Sequence, residues 1–201
     1  GRVSCVSDRI IFNTAGTTRR LALMGGAWSL KWMERTPVRY KAAMGIYQAA
    51  LGLFMPLVWQ SFRRRGAKDP AYLDPWDERK GLGVDFAAVV WVHAVSLGEF
   101  RSAEPLIEYL LSKGKRLVIT HATPAGRRAS EYTLATFVEA GQVSICDAPI
   151  DRLSYWSRVF ERTHPESGVV MEMEFWPGMT EAARLAKVPL WFANAQIPGK
   201  S

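Results

Sequence analysis

The residues of this chain best suited to chemistry are carboxylates at the ends of apolar runs. Glu99 closes the segment Ser96-Leu97-Gly98-Glu99, directly after the valine-rich run 87–95. A carboxylate there can take the proton of a substrate hydroxyl as general base. It equally suits the N-terminus of a helix, where it meets the positive end of the macrodipole, and the pattern alone favours that plainer role. Gly98 lets the backbone turn tightly or approach a ligand. A second acidic group, Met171-Glu172-Met173-Glu174-Phe175-Trp176-Pro177, follows the run 168–171. Glu172 and Glu174 can hydrogen-bond sugar hydroxyls, and Trp176 can offer a flat apolar face to a sugar ring. Alternatively, one glutamate faces solvent and Trp176 packs in the core. In Thr120-His121-Ala122-Thr123-Pro124-Ala125-Gly126, Thr123 reads as a helix cap with Pro124 at the first helical position. That leaves backbone N–H groups for an anionic sugar or phosphate. Asp151 reads as the N-cap of a helix over 152–162, and Asn194 follows the last apolar run.

Other chemistries find little support. Cys5 and Cys146 lie far apart without a CxxC spacing, and His93, His121 and His164 form no paired ligand set. Neither a disulfide framework nor a metal site is indicated. There is no GxGxxG and no GxxxxGK[ST], so a dinucleotide fingerprint and a P-loop are both unsupported. The net charge of +7 is concentrated at one end: residues 1–43 hold eight Lys/Arg against two acids, the rest 18 against 17. A basic face for nucleic acid is therefore not indicated.

The elements that must position these residues alternate in type. Strands are expected at 87–95, 116–120, 142–145, 168–171 and 188–193. Helices are expected at 105–112, 124–137, 152–162 and 180–187. Such alternation argues an α/β fold with a doubly wound parallel sheet, in which ligands sit outside the carboxyl ends of the strands. The loops named above lie at those ends.

Ahead of this domain, residues 1–41 show no clear period and read as a poorly ordered extension. Residues 42–62 are free of charge, with Lys41 before them and Arg63, Arg64 and Arg65 after. This run reads as a membrane-associating helix, spanning or lying flat, that Pro56 kinks or ends. The arginines favour the cytoplasmic side or an anionic headgroup layer. Residues 63–86, with Asp69-Pro70, Asp74-Pro75 and Gly81-Leu82-Gly83, read as a linker, and 87–201 as the domain.

Read together and in order, the segments IYQAALGLFMPLVWQSFRRRG, PAY, DERKG, WVHAVSLGEF, THATPAG, APID, MEMEFWP and VPLWFANAQ resemble the 3-deoxy-D-manno-octulosonic acid (Kdo) transferase family. The resemblance covers roughly residues 44–201 and is specific mainly through HAVSLGE and MEMEFWP in combination. It implies a Rossmann-like N-terminal lobe of a GT-B glycosyltransferase that holds a lipid A precursor, preceded by a membrane-associating helix. A C-terminal lobe holding CMP-Kdo would lie beyond residue 201, leaving these residues alone inactive. The implied reaction inverts the anomeric centre and needs no metal or other cofactor; the implied place is the cytoplasmic face of the inner membrane, in lipopolysaccharide synthesis. Glu99 would be the base. Ser96, Gly98, Thr123, Gly126, Glu172, Glu174, Trp176 and Asn194 would shape the cleft or bind substrate. Two positions depart from the family: Gln196 stands where an arginine is usual, and His121 where threonine is commoner. A non-catalytic glycolipid-binding module, or a transferase with another donor, are the rival readings.

Overall fold

The computed structural model describes residues 38–87, 90–172 and 174–193, and the backbone of three earlier strands. Those strands are β1 (Arg2–Val6), β2 (Arg9–Thr14) and β3 (Thr17–Met24). Then come helices α1 (Val38–Leu53) and α2 (Met55–Gly66), and two 3-10 turns, Pro70–Tyr72 and Glu78–Lys80. The rest alternates: β4 (Val90–His93), α3 (Leu97–Ser112), β5 (Leu117–His121), α4 (Pro124–Thr133), α5 (Ala135–Glu139), β6 (Val143–Asp147), α6 (Leu153–Thr163), β7 (Ser167–Met171), α7 (Pro177–Leu185) and β8 (Leu190–Ala193).

The sheet runs β1-β2-β3-β8-β7-β4-β5-β6. Its last five members are mutually parallel. The first of these in the chain, β4, is central, with β5 and β6 on one side and β7 and β8 on the other. This is the Rossmann-like strand order, and its topological switch point lies between β4 and β7. β4 shows why both faces are covered. Val90 and Val92 join a core with Phe100, Leu106 and Ile107 of α3, while Trp91 joins one with Trp156 and Phe160 of α6 and Met179 of α7. Alternate side chains leave a strand on opposite faces, so a strand buried on both reads as a continuous apolar run.

The sequence expectations need three corrections. The segment 1–41 carries three antiparallel strands, and β3 pairs with β8, extending the sheet to eight strands. α3 starts at Leu97 rather than 105, because Ser96 caps it, and Pro105 lies inside it. The expected helix 124–137 is broken at Leu134. As Pro56 led one to expect, the apolar run 42–62 is broken, into two helices bent by 55°. The break falls at Phe54, two residues before Pro56, whose ring cannot follow a straight helix.

The segment read as a linker packs tightly. Arg79 and Asp147 are each only 2% exposed at the side chain and form an ion pair of 3.0 Å. Arg79 also donates to the Ala148 carbonyl at 3.2 Å. Glu78 accepts from the Asp147 N–H and from Arg127, both at 2.5 Å. Desolvation pushes Asp147 up and Arg79 down, each toward its neutral form, so the pair is costly to build and costlier to break.

Candidate functional site

Glu99 lies in the first turn of α3, at the carboxyl end of the central strand. Its Oε2 accepts from the Val95 N–H at 2.8 Å and its Oε1 from the Ser96 hydroxyl at 3.0 Å. The Glu99 N–H in turn donates to Ser96 Oγ at 3.4 Å. This is the reciprocal logic of a capping box, with the glutamate reaching one residue further back than usual. The residue is 5% exposed. The capping role weighed for Glu99 is therefore real. Replacing Ser96 by alanine removes the cap and one carboxylate partner; thermal unfolding should register a loss of about 1 kcal/mol.

Burial nonetheless pushes the Glu99 carboxyl above its ordinary value, against its two hydrogen bonds. The charges of Glu174 and Glu172 add to the rise. A carboxylate offers about four acceptor positions, and two are used here.

The loop after β7 takes the second of the two arrangements weighed for it, with one glutamate facing solvent and Trp176 packed inward. Glu172 is exposed and held at φ 57°, a left-handed conformation unusual for a residue with a side chain. Its N–H donates to the Ala193 carbonyl at 2.7 Å. Glu174 accepts from the Trp176 indole at 2.8 Å. The Trp176 ring turns inward, edge-on to His93 at 5.1 Å and to Trp156 at 6.1 Å. The exposed ring is Phe175, 64% accessible and stacked on Phe192. Both Phe175 and Trp176 line the cavity described below, and of the two Phe175 is the exposed one.

Three further candidates serve the scaffold. Thr123 caps α4 as expected, accepting from the Gly126 N–H, and its hydroxyl donates to the Val95 carbonyl at 3.2 Å. A Cβ on Gly126 would lie 3.1 Å from the Ser96 carbonyl carbon and 3.1 Å from His121 Nδ1. Glycine there lets the N-termini of α3 and α4 pack together. His121 bridges the Ala94 carbonyl at 2.7 Å and Ser130 at 2.8 Å, and burial pushes it down to about 4, so it is neutral. Gly98, by contrast, is exposed, and a Cβ there would meet only Ser96 Oγ, at 3.9 Å. The expected tight turn is absent; what Gly98 provides is open space above the α3 N-terminus. Asn194 lies outside the described residues.

Asp151 does not cap the helix that follows it. Arg152 holds that position, and the Asp151 carboxylate instead accepts from Gly178 and Met179, the first free N–H groups of α7, at 2.9 and 2.8 Å. A cavity of about 440 Å³ opens beside it, between α1–α2 and the ends of β5, β6 and β7. Tyr47, Phe62, Arg79, Asp151, Phe175 and Trp176 are among its lining residues.

A family model described as 3-deoxy-D-manno-octulosonic-acid transferase (kdotransferase) matches residues 72–201. Among curated proteins, the chain is similar to the 3-deoxy-D-manno-octulosonic acid transferase of Bordetella pertussis, 35% identical over 78% of this chain and 38% of that protein. The Haemophilus influenzae transferase of the same name is 29% identical over 77% of this chain and 36% of its own. A probable mitochondrial 3-deoxy-D-manno-octulosonic acid transferase of Arabidopsis thaliana is 29% identical over 78% and 35%. The chain thus spans little more than a third of the length of these relatives.

Proposed function

Because the chain belongs to the Kdo transferase family, we propose that it forms the acceptor-side lobe of a glycosyltransferase moving Kdo from CMP-Kdo to a lipid A precursor. The observation that carries the reading is the position of Glu99 in the first turn of α3, at the carboxyl end of the central strand and beside the switch point, where Rossmann-like sheets bind ligands. An acceptor hydroxyl attacks the anomeric carbon of Kdo, the bond from that carbon to the phosphate oxygen breaks, and CMP leaves with the electron pair. The hydroxyl proton passes to Glu99, and the anomeric centre inverts. In this reading the substrate alcohol takes the place of the Ser96 hydroxyl, which donates to Glu99 Oε1. The raised carboxyl suits a base, since basicity grows with pKa. In this reading Phe175 and Glu172, both exposed at the end of β7, contact the acceptor sugar. The test is transfer of Kdo from CMP-Kdo to lipid A precursor by the full-length protein; absence of transfer would refute the reading.

Membrane attachment is part of the same proposal. Neither α1 nor α2 is long and apolar enough to cross a membrane, although the bent pair together passes by length and composition. One side of α1 is bound to the lobe, through Tyr40 to Glu181 at 3.1 Å and Tyr47 to Asp151 at 2.8 Å. The other side exposes Ile46, and the break between the helices exposes Leu53, Phe54 and Leu57. Arg63, Arg64 and Arg65 close α2. A helix pair pinned to its domain with apolar residues outward suits the plane of an anionic interface rather than a span. Sedimentation with vesicles of anionic phospholipid should carry the parent down, whereas Phe54→Asp with Leu57→Asp should stay in the supernatant. Equal sedimentation would remove the helix pair from the account.

A further inference from the structure

Asp151 joins three separate parts of the molecule. Its two carboxylate oxygens accept the Gly178 and Met179 N–H groups of α7. Oδ2 also accepts the Tyr47 hydroxyl of α1, at 2.8 Å. Its carbonyl accepts the Gln48 amide at 3.2 Å, and Gln48 Oε1 accepts the Leu153 N–H of α6 at 3.0 Å. The fit at α7 is tight: a Cβ on Gly178 would lie 2.4 Å from the Asp151 carbonyl oxygen, which no real contact allows. α7 has no cap of its own, because Trp176 in the N-cap position supplies no side-chain acceptor. The strand-end loop carrying Glu172, Glu174 and Phe175 runs directly into this N-terminus.

We infer that Asp151 is a positioning residue, which makes the placement of the acidic loop after β7 depend on how α1 is seated against the lobe. The inference rests on the functional reading above, in which that loop lines the acceptor site and α1 meets the membrane. The chain of contacts is Tyr47 to Asp151, Asp151 to the Gly178 and Met179 amides, and these to the loop one turn earlier. The first two links are part-buried hydrogen bonds to a carboxylate, and the last is the continuity of the backbone into the first turn of α7. Loss of the Tyr47 link frees the carboxylate to swing with the 148–152 loop, and α7 loses the fixed cap that holds its first turn.

The variant that tests this is Tyr47→Phe, which removes one hydroxyl and keeps the ring; Tyr132→Phe, at an exposed tyrosine, is the control. Hydrogen exchange resolved by residue should speed up about three- to tenfold at the Gly178 and Met179 amides. Core amides such as Val92 and Ile119 should exchange as in the parent. In the full-length transferase, kcat should fall by a similar factor of about three to ten while the KM for CMP-Kdo is unchanged, as expected when positioning and not donor binding is lost. Unchanged exchange at Gly178 and Met179, or uniform acceleration including the core, overturns the inference. So does selective exchange with undiminished turnover. Selective exchange in a protein whose parent transfers no Kdo would instead leave the coupling in place and refute the functional reading.

Discussion

Replacing Glu99 by glutamine in the full-length transferase should lower kcat by about a hundredfold or more, the scale of a positioned general base. The variant separates two roles that the structure superimposes. Glutamine is an accepted partner in a capping box, so the helix start survives. Its amide oxygen can accept from Val95 N–H, and its NH2 can donate to Ser96 Oγ. The melting temperature should therefore stay close to that of the parent while turnover collapses. The parent should also lose kcat/KM as pH falls, since a base must be deprotonated. With the Glu99 carboxyl raised by burial, this limb should lie above the ordinary carboxylate value of about 4.3. The same rise means that the folded state holds this proton more tightly than the unfolded one. Ionising Glu99 thus costs stability as pH climbs through that range, and the variant is spared that cost. Unchanged turnover would make Glu99 a cap alone and favour a lobe that binds glycolipid without acting as base.

The largest expected loss of stability comes from Arg79. Its guanidinium holds Asp147 at 3.0 Å in a setting where both side chains are 2% exposed. Arg79→Ala strands a buried carboxylate with only Arg127, 3.7 Å away and shared with Glu78 and Glu131. Breaking one side of a buried pair costs about 3–5 kcal/mol. At about 2–4 °C per kcal/mol for a chain of this size, calorimetry should show a fall of about 6–20 °C. Arg79→Met combined with Asp147→Leu should recover most of it, because removing both charges also removes the desolvation penalty. A loss below about 1 kcal/mol for Arg79→Ala would mean that the segment 78–80 is not anchored through this pair.

The Arg79 result bears on what the sequence could tell. The five parallel strands were legible because a strand buried on both faces leaves an uninterrupted apolar run, as Val90-Trp91-Val92 does. The placing of Glu99 at the rim followed from that. The start of α3 was signalled by Ser96-x-x-Glu99 and was obscured by Pro105, which ordinarily opens a helix but here lies within one. The segment 77–81 looked like a polar linker because a buried ion pair and a surface charge cluster have the same composition; only tertiary contact tells Arg79 from Lys80. Asp151 precedes a helix, the position of a cap, whereas its α7 partners are 27 and 28 residues away. Glycine at 178 was the available clue. Strands β1–β3 pair through two-residue connections, Val6 to Arg9 and Thr14 to Thr17, yet their scattered arginines broke the alternation that marks a strand.

The account turns on whether a sugar alcohol reaches Glu99 past the Ser96 hydroxyl. The most direct measurement is a crystal structure of the protein with the lipid A precursor bound. The acceptor hydroxyl should lie about 2.6–3.2 Å from a Glu99 carboxylate oxygen, with Ser96 turned aside. An acceptor seated elsewhere, with Glu99 still closed beneath Val95 and Ser96, would contradict it.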